Sequence, residues 1–205
     1  MSGEAVAAPD RAAAPPPAIP SYVFYLAIPV IMALQALTLH AMGRLTICSC
    51  GYVKLWHGVV LSPENSQHLF DWYSLTHIIH GFGFYLLLWL ALRRSPFALR
   101  LMLAVIIEVG WELLENSDFI ITRYRAETIS LDYFGDSIVN SLGDVVSMMF
   151  GFLVASRLPA WNAVAIAVTI ELTLLYIIHD NLALNIIMLV HPIDAIKAWQ
   201  ASMMH

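Results

Sequence analysis

Ionisable side chains standing inside apolar runs are the first candidates for chemistry in this 205-residue chain. His77 and His80 lie near the start of one such run, three residues apart, so one helical face would carry both imidazoles. Glu108, Glu112 and Glu115 form a single stripe near the end of the next run. Asp136, Asn140 and Asp144 recur every fourth residue at the start of a third. On a helix, Asp144 would stand about 12 Å below Asp136. A carboxylate at that depth in hydrocarbon costs on the order of several kcal/mol unless it is protonated, paired or hydrated.

Imidazole nitrogens and carboxylate oxygens are ligands for divalent metals, so His77, His80, Glu112 and Glu115 are the expected metal group. Glu112, Asp136, Asn140 and Asp144 are the expected catalytic groups. Together they would suit metal-assisted hydrolysis or transfer on a lipid or envelope precursor. The same side chains would also serve as hydrogen-bonding glue between helices, or as a path for protons or ions. Two further groups lie in loops. Arg123 and Arg125 are placed to receive an anionic lipid, or to form a solvated salt-bridged loop with Asp118, Glu127 and Asp132. Cys48 and Cys50, with His57 and His68, do not match the spacing of a standard zinc module. A turn with two small buried side chains is favoured there over a metal site or a bridge.

The elements that must position these groups are membrane spans. The chain is 60% apolar and 12% charged, with a mean hydropathy of +0.72. Soluble domains usually carry about twice that charge. The net charge of −5 and the lack of a basic block exclude nucleic acid as a partner. Apolar runs at residues 22–42, 75–92, 97–115, 136–155 and 160–178 predict an all-α bundle of about five spans in one domain, 21–205. Residues 1–20, rich in Ala and Pro, predict a disordered N-terminus. Residues 184–190 are too few to cross and predict a short re-entrant or interfacial helix.

Neighbouring spans run in opposite directions, so starts of even spans and ends of odd spans share one membrane face. His77, His80, the three glutamates, Asp136, Asn140 and Asp144 therefore gather at one end. The long connections 43–74 and 116–135 lie at that end too. Arg93, Arg94, Arg100 and Arg157 flank the short turns at the other end, which predicts a cytoplasmic position for those turns and for the N-terminus. The sequence holds no serine elbow, phosphate-binding glycine loop or dinucleotide fingerprint.

Several stretches are distinctive: CSCGYVKLWHGVV from Cys48, DWYSLTHIIHG from Asp71, WELLENSDFII from Trp111, SLDYFGDSIVNSLGD from Ser130 and HPIDAIKAWQ from His191. On these the chain resembles the domain-of-unknown-function 2585 family of bacterial inner-membrane proteins. The resemblance covers nearly everything after Tyr22. It implies a multi-pass inner-membrane protein and carries no activity with it.

Overall fold

A computed structural model describes residues 19–128 and 132–202. The Ala/Pro-rich segment expected to be disordered falls almost wholly outside the described residues. Among the described residues, eight α-helices carry the fold: α1 Ser21–Ala41, α2 Ser74–Ala91, α3 Phe97–Glu115, α4 Asp118–Glu127, α5 Ile138–Ala155, α6 Ala160–Ile178, α7 Leu182–Val190 and α8 Asp194–Ser202. Two short strands, β1 Trp56–His57 and β2 Phe70–Asp71, pair in parallel within the first long connection.

Among the described residues, α1, α2, α5 and α6 are long and apolar enough to cross a membrane. This is one fewer than the five spans expected. The difference is α3, which has 19 residues but carries Arg100, Glu108, Glu112 and Glu115. Its charge is sorted by face. Glu108 and Glu112 are fully buried, while Ile106, Ile107 and Leu114 are exposed on the outer side. Helix α3 packs against α1, α2 and α5, so it occupies a place in the bundle equivalent to that of the other long helices.

Glycines set the tightest packing. A Cβ on Gly81 of α2 would lie 2.2 Å from the Met148 carbonyl oxygen of α5, and one on Gly151 would lie 2.2 Å from that of Ile78. Only residues without side chains allow two backbones this close. The contacts rise together along both helices, from Ser74 with Asp144 to Ile78 with Gly151, so α2 and α5 run parallel. Leu101, Ala104 and Val105 of α3 close the core against Val145, Met148 and Phe152 of α5.

The first connection folds back onto the start of α5. Helix starts leave backbone N–H groups without intrahelical partners. Here the N–H groups of Ser137, Ile138 and Val139 donate to the carbonyls of Ser66, Leu45 and Thr46. Ser137 also caps α5 with its side chain. Glu171 of α6 accepts from the first N–H groups of α7, those of Leu182 and Ala183. The apolar stretch expected to be re-entrant or interfacial is thus a helix of 9 residues, pinned at its start.

Candidate functional site

Three helices bring the polar stripes together. His77 is the centre. Its Nδ1 lies 2.5 Å from Glu108 Oε1 and 3.4 Å from Glu112 Oε1, and its Nε2 lies 3.9 Å from Asp144 Oδ2. His80, one turn on, places Nδ1 3.1 Å from Glu108 Oε2. The antiparallel course of α2 and α3 makes this meeting possible, since an early residue of one faces late residues of the other.

The acids are braced from behind. Ser74 Oγ donates to Asp144 Oδ1 at 2.6 Å, and Ser141 Oγ donates to Glu112 Oε2 at 2.6 Å. Gln35 of α1 donates to Ser141 Oγ at 2.8 Å. The other oxygen of Glu112, Oε1, is buried and has no hydrogen-bond partner. An unmatched buried carboxylate oxygen is costly and calls for a compensating cation or proton. One ligand atom each from His77, Glu112 and Asp144 lies within 4.8 Å of the others, and the same holds for His77, His80 and Glu108. Either group would fit around a divalent ion.

A cavity of about 360 Å³ opens beside this cluster. His77, His80, Glu115, Asp136 and Asp144 line one part, and Phe84, Ile107, Ile186 and Leu189 line another. Asp136 is held by Asn116 Nδ2 at 2.7 Å and the Tyr133 hydroxyl at 3.0 Å. Glu115 points toward α4, where its Oε1 lies 2.9 Å from the Tyr124 hydroxyl. Of the expected metal group, His77 stands with His80 in one set and with Glu112 in another, while Glu115 stands apart on the cavity wall. Glu108 takes the position that Glu115 was expected to fill.

Two expected site residues, Asn140 and Arg123, have other tasks, and a third, Arg125, lies away from the cluster. Asn140 Nδ2 donates to the His68 carbonyl at 2.8 Å, fastening the first connection rather than facing the cluster. Arg123 donates through Nε to the Leu189 carbonyl, and through Nη2 to that of Val190 at 3.2 Å. It thus caps the C-terminus of α7, where the helix leaves carbonyls open. Arg125 is exposed on α4. Neither arginine lines the cavity, so the expected anion-receiving pair is not at its wall.

The loop cluster is a separate construction. Glu64 accepts from Lys54 Nζ at 2.7 Å, from His68 Nε2 at 2.9 Å and from the Tyr52 hydroxyl at 3.1 Å. These donors, Lys54 first, hold its carboxyl down to about 2. His68 Nδ1 accepts the backbone N–H of Lys54, so its proton sits on Nε2 and no ring lone pair is left for a metal. Lys54 is the resident cation. Burial, with the Lys54 charge second, lowers the titration of His57. Cys48 and Cys50 are joined in a disulfide, in place of the two separate side chains expected in the turn.

Gln35, Asn116, Tyr124 and Tyr133 also brace or line the site and are not among the expected site residues. Gln35 had a signal, since it is an amide within an otherwise apolar run. The tyrosines had none, because their spacing does not distinguish a wall from ordinary packing.

Fold and cluster together define an all-α bundle with long apolar helices and a buried histidine–carboxylate site at one end. The chain belongs to the domain-of-unknown-function 2585 family, described as a protein of unknown function, whose profile matches residues 39–202. It is 56% identical over 183 residues to a UPF0314 protein of Sinorhizobium fredii, covering 89% of this chain and 93% of that one. A UPF0314 protein of Rhizobium meliloti is 58% identical over 171 residues, 83% of this chain and 87% of its own. One from Paracoccus denitrificans is 50% identical over 179 residues, 87% of this chain and 93% of its own. No solved structure matches the chain.

Proposed function

We propose that this chain is a multi-pass protein of the bacterial inner membrane that holds a divalent metal ion in its buried cluster. The ion would serve hydrolysis or transfer on a lipid or envelope precursor. The observation that carries this reading is Glu112 Oε1, buried and without a hydrogen bond, 3.4 Å from His77 Nδ1. A cation there would compensate a carboxylate that the protein leaves half satisfied. His77, Glu112 and Asp144 would hold it, with His77 offering Nε2 on the Asp144 side while Glu108 orients the ring through Nδ1. A bound divalent ion lowers the pKa of a coordinated water and polarises a carbonyl or phosphoryl oxygen. Ser74, Ser141 and Gln35 keep the acids fixed.

In this reading α1, α2, α3, α5 and α6 cross the bilayer, with the acids of α3 turned inward. The basic short turns lie in the cytoplasm and the cluster faces the opposite side. The test is metal content of protein purified in detergent without chelator, together with thermal stability with and without added divalent ion. Bound ion and a raised midpoint are expected. A protein that neither retains nor responds to any divalent ion would leave the cluster as structural glue.

A further inference from the structure

The cavity joins two unlike environments. Glu115, Asp136 and Asp144 supply carboxylates at one end, together with Trp111, Tyr124 and Tyr133. The imidazoles of His77 and His80 stand there too, both turned to Glu108 through Nδ1. No lysine or arginine lines it among the described residues. Arg123, the nearest candidate by sequence, is taken up by the last carbonyls of α7. Carboxylates beside electron-rich rings repel a phosphate and attract an ammonium group.

The other end is a greasy mouth. Ile107 of α3 is 40% exposed and Ile186 of α7 is 50% exposed, and both also line the cavity. They mark where the space reaches the side of the bundle. Ile107 precedes Glu115 by eight residues of helix, about 12 Å. Phe84 follows His77 on α2 by seven residues, about 10 Å. The apolar wall thus runs away from the carboxylates toward the middle of α2 and α3. In the membrane placement proposed above, on which this inference rests, the mouth opens into hydrocarbon.

We infer that the cavity admits a single-chain amphiphile with an ammonium head, sideways from the bilayer between α3 and α7. The head lies among Glu115, Asp136 and Trp111, and the chain lies along Phe84, Ile107 and Leu189. A metal held by His77, Glu112 and Asp144 would not draw on Glu115 or Asp136, whose hydrogen-bond partners Tyr124, Asn116 and Tyr133 are neutral. A tail-less cation loses the apolar contact, and an anion of equal tail meets the carboxylates.

The test uses the full chain in phosphatidylcholine nanodiscs. Dodecyltrimethylammonium is compared with tetramethylammonium, which lacks the tail, and with dodecyl phosphate, which reverses the head. Saturable binding of dodecyltrimethylammonium about tenfold or more tighter than either control is expected. Ile107→Trp fills the mouth and should abolish this binding while divalent-ion stabilisation persists. Equal binding of all three probes, binding of none, or undiminished binding to Ile107→Trp would overturn the inference. Ammonium binding without any divalent-ion response would overturn the metal reading alone.

Discussion

Replacing Glu112 by Gln separates chemistry from glue. The side chain keeps its size, and its amide oxygen still accepts from Ser141 Oγ, now 2.6 Å from Glu112 Oε2. The change removes one negative charge at Oε1, the oxygen that lacks a hydrogen bond. If the acids are only structural, removing a buried charge is neutral or stabilising. If Glu112 holds a divalent ion, affinity should fall by about 100-fold, the scale for losing a strong anionic ligand. An ion present at about 100 times its dissociation constant stabilises the folded state by roughly 2.7 kcal/mol. After such a loss the same concentration gives about 0.4 kcal/mol. The difference of about 2.3 kcal/mol corresponds to roughly 5–9 °C in midpoint for a chain of this length. The assay is thermal unfolding in detergent with a titrated divalent ion, beside elemental analysis of each preparation. Wild type should shift with the ion and Glu112→Gln should barely move. A variant that responds to the ion as strongly as wild type would refute the ligand assignment.

Three other outcomes are expected. Gly81→Ala should destabilise the protein by about 2 kcal/mol or more, because the new Cβ would lie 2.2 Å from the Met148 carbonyl oxygen, and detergent unfolding midpoints would show it. Glu64, held at about 2 against an ordinary 4.5, contributes stability that is full above pH 4.5 and is lost as pH falls toward 2. The unfolding midpoint of wild type should therefore drop more steeply in that window than that of Glu64→Gln; parallel curves would contradict the linkage. Reporter fusions at the Arg93–Arg94 turn and at Arg157 should read cytoplasmic, and fusions in the 43–73 connection should read outside, with the reverse result overturning the orientation.

Helix positions were legible because apolar periodicity and punctuation agree. The run 97–115 is α3 to the residue, and 160–178 is α6. Both follow a proline that suits a helix start, Pro96 and Pro159. Helix α4 was hidden, since Asp118–Glu127 is too charged to show an apolar stripe and announces itself only through the Ser117 cap. The meeting of His77 with Glu112 and Asp144 was legible because spacing fixes a face and alternating direction fixes an end. The roles of Asn140 and Arg123 were not, because they depend on where the first connection and α7 fold back. Spacing within a helix carries no information about that return path. Glu115 shows the same limit at finer scale: it shares the stripe of Glu112, yet the next turn of α3 delivers it to Tyr124.

The glycine seam between α2 and α5 governs what in this molecule can move. At Gly81 and Gly151 backbone meets backbone with no side chain to yield, so the two helices move as one body. His77 and Asp144 ride on that body, whereas Glu112 rides on α3 and the opposite cavity wall on α7. The mouth lies between α3 and α7, and α3 is packed against α1, α2 and α5, so a shift of α7 alone widens it and leaves the His77–Glu112 separation unchanged. The histidine–carboxylate cluster is thus seated in the rigid part of the bundle, and the α7 wall is the side that can give.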